Sequence, residues 1–140
     1  MDINLKTMTT AIEDSQLNTE LQELYLEAKQ WMTDLDFLDS ELAFLNKLTA
    51  NLAIQAEKEE EIEKLTGIEK VYLSLKGEMY AYLHGLEPLI TQKKENFNLG
   101  LIETYTHLKW RLDEVLHGCQ NVKNSIFDHT KRGLADGDAS

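Results

Sequence analysis

Glu114-Val-Leu-His117 is the arrangement in this chain nearest to metal chemistry. Carboxylate-bridged di-metal bundles use two Glu-x-x-His pairs plus two further glutamates, all pointing inward. Here there is one pair. Against the neighbouring apolar positions Leu112, Val115 and Cys119, both Glu114 and His117 fall outside the apolar face. They read as a surface glutamate and a surface histidine. A second cluster, Glu57, Glu59, Glu60, Glu61 and Glu63, offers the oxygen ligands that hard cations take. It lacks the Asp/Asn/Gly loop pattern that folds ligands around an ion. Consecutive glutamates on a helix radiate outward, so the cluster reads as a solvated face near a helix start. No metal and no cofactor is expected.

The four histidines, His84, His107, His117 and His129, have no zinc-like spacing. Only His129 continues an apolar stripe, at a helix end. Cys119 can in principle be a nucleophile, yet it occupies a core position, where a thiol packs as a small hydrophobe. It is the single cysteine, so no intrachain disulfide forms. No catalytic residue emerges, and no small-molecule substrate is evident.

Lys109-Trp110-Arg111 stands out as a candidate partner-binding surface. On the helical wheel Trp110 lies nearly opposite the apolar stripe. Trp and Arg are enriched among interface hot spots. The competing reading lays the ring flat on a neighbouring helix or on the N-terminal segment. Phe37 and Phe44 raise the same question, and their spacing favours the core.

The elements that carry these residues follow from apolar periodicity. Leu21, Leu24, Ala28, Trp31, Leu35, Leu38, Leu42 and Leu45, with Thr49 and Leu52, recur at spacings of three and four. That places them on one side of an α-helix. Asn18 or Thr19 can cap its start, near 15–19, with Glu20 and Glu23 at the positive end of the dipole. The second stripe reads Leu65, Ile68, Tyr72, Leu75, Met79, Tyr82, Leu86 and Leu89, and its phase is unbroken across Gly67. This favours a start near residue 57, with Gly67 inside. Pro88 should kink or weaken the last third. Asn96 to Gly100 reads as a turn. The third stripe runs Leu101, Tyr105, Leu108, Leu112, Val115, Cys119, Val122 and Ile126 and stops at Gly133.

The chain therefore reads as all-α, an elongated antiparallel three-helix bundle with a heptad-spaced apolar core. Residues 1–16 form an N-terminal segment, partly disordered or a short helix. Residues 17–132 form the bundle, and residues 133–140 a disordered tail. Faces as broad as these suit packing against two neighbours better than a two-stranded coiled coil does.

The formal net charge is −11 over 140 residues. Residues 17–64 hold twelve acidic and four basic side chains. Such a surface repels phosphates, which argues against nucleic acid and anionic membrane as partners. No apolar run is long enough to span a bilayer. With no apolar leader at residues 1–16 and one cysteine, the expected compartment is the reducing cytoplasm.

Trp31-Met-Thr-Asp-Leu-Asp-Phe37-Leu-Asp-Ser-Glu41-Leu-Ala-Phe44-Leu45 resembles the first helix of a set of small bacterial helical proteins, chiefly of Bacteroidota type. His107-Leu108 and the segment from Val122-Lys123 to Ile126-Phe127 look like the end of the same pattern. The resemblance touches about half the chain. It implies a cytoplasmic helical bundle and carries no assigned activity or site residues. The chain reads as a non-enzymatic interaction or scaffold module that binds a protein partner or its own copy. The alternative is a bundle that binds a metal or small ligand through surface Glu and His.

Overall fold

The computed structural model of the chain describes the backbone of residues 2–91 and 99–139, and the side chains of residues 19–90 and 100–132. Three helices account for almost all of it: α1, Asp2–Ala50; α2, Gln55–Thr91; and α3, Leu99–Ala139. Among the described residues there is no strand. At about 1.5 Å per residue the helices are roughly 55 to 75 Å long, so the bundle is elongated.

The chain turns once within view, between α1 and α2. The Asn51 amide donates to the Leu48 carbonyl and the Leu52 amide to the Thr49 carbonyl, both at 3.1 Å. These bonds close the end of α1 tightly. The Lys58 amide then donates to the Ile54 carbonyl at 3.0 Å and opens α2. Lys47 in the last turn of α1 and Glu57 in the first turn of α2 each suit the local end of the helix dipole.

Helix 2 thus starts on the early side of Gly67, as the unbroken stripe indicated. It also continues through Pro88 to Thr91. The ends of α1 and α3 differ from the sequence reading. Helix 1 begins at Asp2 rather than near residues 15–19, so the capping residues Asn18 and Thr19 lie inside it. The reason is composition: residues 2–20 contain no glycine or proline, and nothing in that stretch forces a break. Helix 3 likewise passes Gly133 and reaches Ala139. The turn expected at 96–100 falls mostly on residues outside the described set, and α3 already includes Leu99 and Gly100.

The stripes form one core. Leu35, Leu38, Leu42 and Leu45 of α1 are at most 1% exposed, and Leu65, Leu75, Met79 and Leu86 of α2 match them. Leu108, Leu112, Val115, Cys119, Val122 and Ile126 complete the core from α3. Side-chain ties fix the directions. Tyr25 bonds Glu87 and Asn46 bonds Glu69, so α1 and α2 run antiparallel. Arg111 pairs with Glu78 and Ser125 bonds Glu61, so α2 and α3 do too. Tyr105 donates to Glu27 and Lys123 pairs with Glu41, which makes α1 and α3 parallel.

One layer joins all three helices through aromatic rings. Trp31 stacks on Tyr105 at 5.3 Å between centroids and meets Tyr82 at 6.1 Å. Such pairs contribute about 0.5–1.5 kcal/mol beyond burial. The Tyr82 hydroxyl donates to the Leu101 carbonyl at 3.0 Å. Phe37 and Phe44, which their spacing favoured for the core, are instead 66% and 48% exposed. They lie on the outer side of α1, because a three-helix arrangement leaves each helix one flank without a neighbour.

Two predictions follow from the core. Leu38→Ala or Leu42→Ala should lower stability by ~2–5 kcal/mol in chemical denaturation, and Glu60→Ala, at an exposed site, by less than about 0.5 kcal/mol. The second concerns alkaline pH. Burial pushes the Tyr82 phenol up to about 12, and burial with the Glu27 carboxylate does the same for Tyr105. The unfolded chain loses each proton near pH 10, the folded chain only near 12. Stability held below pH 10 should therefore fall as pH rises from about 10 to about 12. Tyr82→Phe should be less stable at pH 8 by about 1 kcal/mol, for want of the Leu101 bond, yet lose less between pH 10 and 12.

Candidate functional site

Helices 2 and 3 each carry a glycine along the groove between them. Gly67 on α2 and Gly118 on α3 lie at nearly the same level, between the Glu61–Ser125 and Glu78–Arg111 ties. A Cβ placed on either would meet nothing within 4 Å. The missing side chains leave an open groove of about 740 Å³. Its apolar lining is Ile68 and Val71 from α2 and Trp110, Val115 and Val122 from α3. Lys64, His107, Arg111, Glu114 and Asn121 supply polar groups around it. A shallower hollow of about 480 Å³ extends the surface past Trp110 and His107 to Ile102.

The three residues singled out in sequence part company here. Trp110 is 57% exposed and forms one end of the groove. Arg111 turns inward along α2 and pairs with Glu78. Lys109 lies on the other side, its Nζ 5.8 Å from the centroid of the Tyr105 ring. Trp110 and Arg111 thus share a surface, and Lys109 does not line it. Trp31, in contrast, is 5% exposed.

A second polar constellation sits at the end of the bundle near the α1–α2 turn. Glu61 is fully buried. Its Oε1 accepts from Ser125 Oγ at 2.6 Å and lies 3.3 Å from His129 Nε2 and 3.5 Å from Lys64 Nζ. His129 Nδ1 lies 3.0 Å from Glu57 Oε2. Arg132 Nη2 approaches the same Nδ1 at 2.5 Å and Glu57 Oε1 at 3.7 Å. Burial works against the charge on Lys64, but the Glu61 and Glu60 carboxylates outweigh it and hold the amine above its ordinary value.

The solvated-face reading of residues 57–63 therefore needs correction. Glu59, Glu60 and Glu63 are exposed, while Glu57 is half-buried and Glu61 is core. The signal was present: Glu61 lies four residues before Leu65 and seven before Ile68, in phase with the stripe. Charge type masked it. His129 belongs to the same cluster, which its place on the stripe foreshadowed.

The cluster holds the residue types of a Ser–His–acid triad, but not its geometry. Ser125 gives its hydroxyl proton to Glu61 rather than facing the imidazole, so nothing activates the oxygen as a nucleophile. Cys119 is buried, and burial and Glu41 push its thiol up against the opposing pull of Lys123. Glu114 and His117 are both exposed. Among the described residues no group of three or more His, Cys, Asp or Glu side chains is placed to hold a metal ion. No helix among them is long and apolar enough to cross a membrane. Buried Glu61 Oε2 and Thr49 Oγ1 make no hydrogen bond.

Removing Glu61 should expose how much the cluster matters to the fold. Glu61→Ala leaves the Ser125 hydroxyl and His129 Nε2 without their acceptor and opens a void. It should cost about 3 kcal/mol or more, the usual result of breaking a buried pair. Glu60→Ala, one residue away on the outer face, is the control. Equal effects in denaturant titrations would show that Glu61 reaches water.

Compared with known proteins, the chain matches no family model, no curated protein and no solved structure.

Proposed function

We propose that this protein is a non-enzymatic helical interaction module, and that the α2/α3 groove docks a helix of a protein partner or of a second copy. The observation that carries the reading is the pairing of an exposed Trp110 with an adjoining apolar groove of about 740 Å³. An amphipathic helix laid into a groove buries apolar side chains at three- and four-residue spacing. The Gly67 and Gly118 gap admits such a side chain down to the backbone. Tryptophan is enriched among the hot spots of protein interfaces.

The rest of the molecule supports a binding role over a catalytic one. The serine, histidine and cysteine that carry nucleophilic chemistry elsewhere are spent on packing and on ion pairs. The acidic charge of −11 favours protein over nucleic acid as partner. The reading takes the cytoplasm as compartment, on a lone buried thiol. A small ligand held by His107 and Glu114 is the competing occupant. The groove volume lies within the ~300–1,000 Å³ typical of ligand sites.

A photo-crosslinking amino acid at position 110, in the native cell, separates these readings. The expected result is a discrete protein adduct at position 110 and none at Leu73, which is 65% exposed away from the groove. Absence of any protein adduct at 110, or equal adducts at both positions, would overturn the docking reading.

A further inference from the structure

We infer that the occupant of the α2/α3 groove is the same face of a second copy, related by a two-fold axis that passes close to Glu114. The inference rests on the reading of the groove as a docking face and names its partner. An isologous interface needs a surface that is complementary to itself. This face has a protrusion, Trp110, 57% exposed, and a gap, Gly67 with Gly118, open above the backbone. Trp110 and Gly118 are eight residues apart on α3, about 12 Å along the helix. If two copies of α3 cross antiparallel about Glu114, each Trp110 falls over the Gly118 gap of the other copy. One operation fills both gaps.

Charge singles out the same face. Over residues 19–50, α1 carries seven acidic and two basic side chains. Over residues 100–132, α3 carries four acidic and five basic ones. Helix α2 is acidic as well, with eight acidic and four basic side chains over residues 55–90, but the groove itself is lined by Lys64, Arg111 and Glu114, so two copies meeting through α1 would repel, whereas two meeting α3 to α3 across this groove would not. The other exposed apolar ridge, Phe37 and Phe44, sits on the acidic helix. The chosen arrangement does place two Glu114 carboxylates near the axis. That local repulsion is a marker of the geometry, because removing it must tighten the pair.

Analytical ultracentrifugation of the full chain, up to about 1 mM protein, tests the arrangement. The wild type should be a reversible dimer. Trp110→Ala, and Gly118→Leu, which fills the gap with a good helix former, should each raise Kd at least about 30-fold, with helical circular dichroism unchanged. Glu114→Gln should lower Kd. The double variant Phe37→Ala, Phe44→Ala should leave Kd within about twofold, as peripheral residues do. A monomeric wild type overturns the inference, as does a dimer that survives both groove variants or dissolves in the phenylalanine variant. A monomer that still gives a crosslink from position 110 to a different protein removes the second copy and leaves the docking reading standing. A monomer with no crosslink removes both.

Discussion

Everything in this molecule depends on the phase of three apolar rows. Each helix must keep its apolar side chains on one side for about 25 residues or more, and the three sides must meet. Leu35 and Leu45 are completely buried in a row that no glycine or proline interrupts, and Leu75 and Leu86 are equally buried. Where glycines do occur, the row survives them: Leu65 and Ile68 hold phase on either side of Gly67. Backbone propensity is a weak term, up to about 1 kcal/mol for a glycine. Burial of a leucine is larger, about 1.5–3 kcal/mol, and it recurs every three or four residues. The core therefore decides where helix persists, and local signals are overruled.

That ranking of effects explains the shape of the outer surface. Three helices around one core leave three outer grooves, and only the α2/α3 groove is opened further by glycine on both sides. The same substitution that costs helix propensity thus creates recognition volume. Trp110 keeps its indole in water beside that volume while its neighbour Arg111 is drawn to Glu78. The groove and the Tyr82–Trp31–Tyr105 layer are different uses of large aromatic rings on one scaffold, the first outward and the second inward.

The fold was legible in the sequence wherever it depended on the rows. All eight positions of the α2 row and all eight of the α3 row are buried or half-buried. Trp31 was placed inside and Trp110 outside for the same reason. Helix ends were not legible, because Asn18, Thr19 and Gly133 are permissive stop or start signals that a longer helix can ignore. Phe37 and Phe44 misled because residue type and the breadth of the apolar face argued for burial, whereas each sits one place before a row position, Leu38 and Leu45, on a flank that no helix covers, and that offset won. Glu61 misled in the opposite way, and again position won. The groove itself had no one-dimensional signature. It arises only when antiparallel register sets Gly67 beside Gly118, and that register lies in no single helix.

Heptad rows alone are degenerate, since sliding one helix past another by seven residues restores the same apolar pattern. Glu61 reduces that degeneracy. In the observed register its carboxylate meets the Ser125 hydroxyl and the His129 ring. A slip of α3 by one heptad would set Gly118 and Val122 in their places, and neither has a side-chain hydrogen to offer. The buried carboxylate would then keep Lys64 of its own helix but lose both partners on α3, at a cost of about 1–3 kcal/mol for an unmet buried group. One carboxylate thus favours the observed alignment of α2 with α3 over that slip. The glycine gap exists only in that alignment, so the recognition surface is inherited from a residue that never touches it.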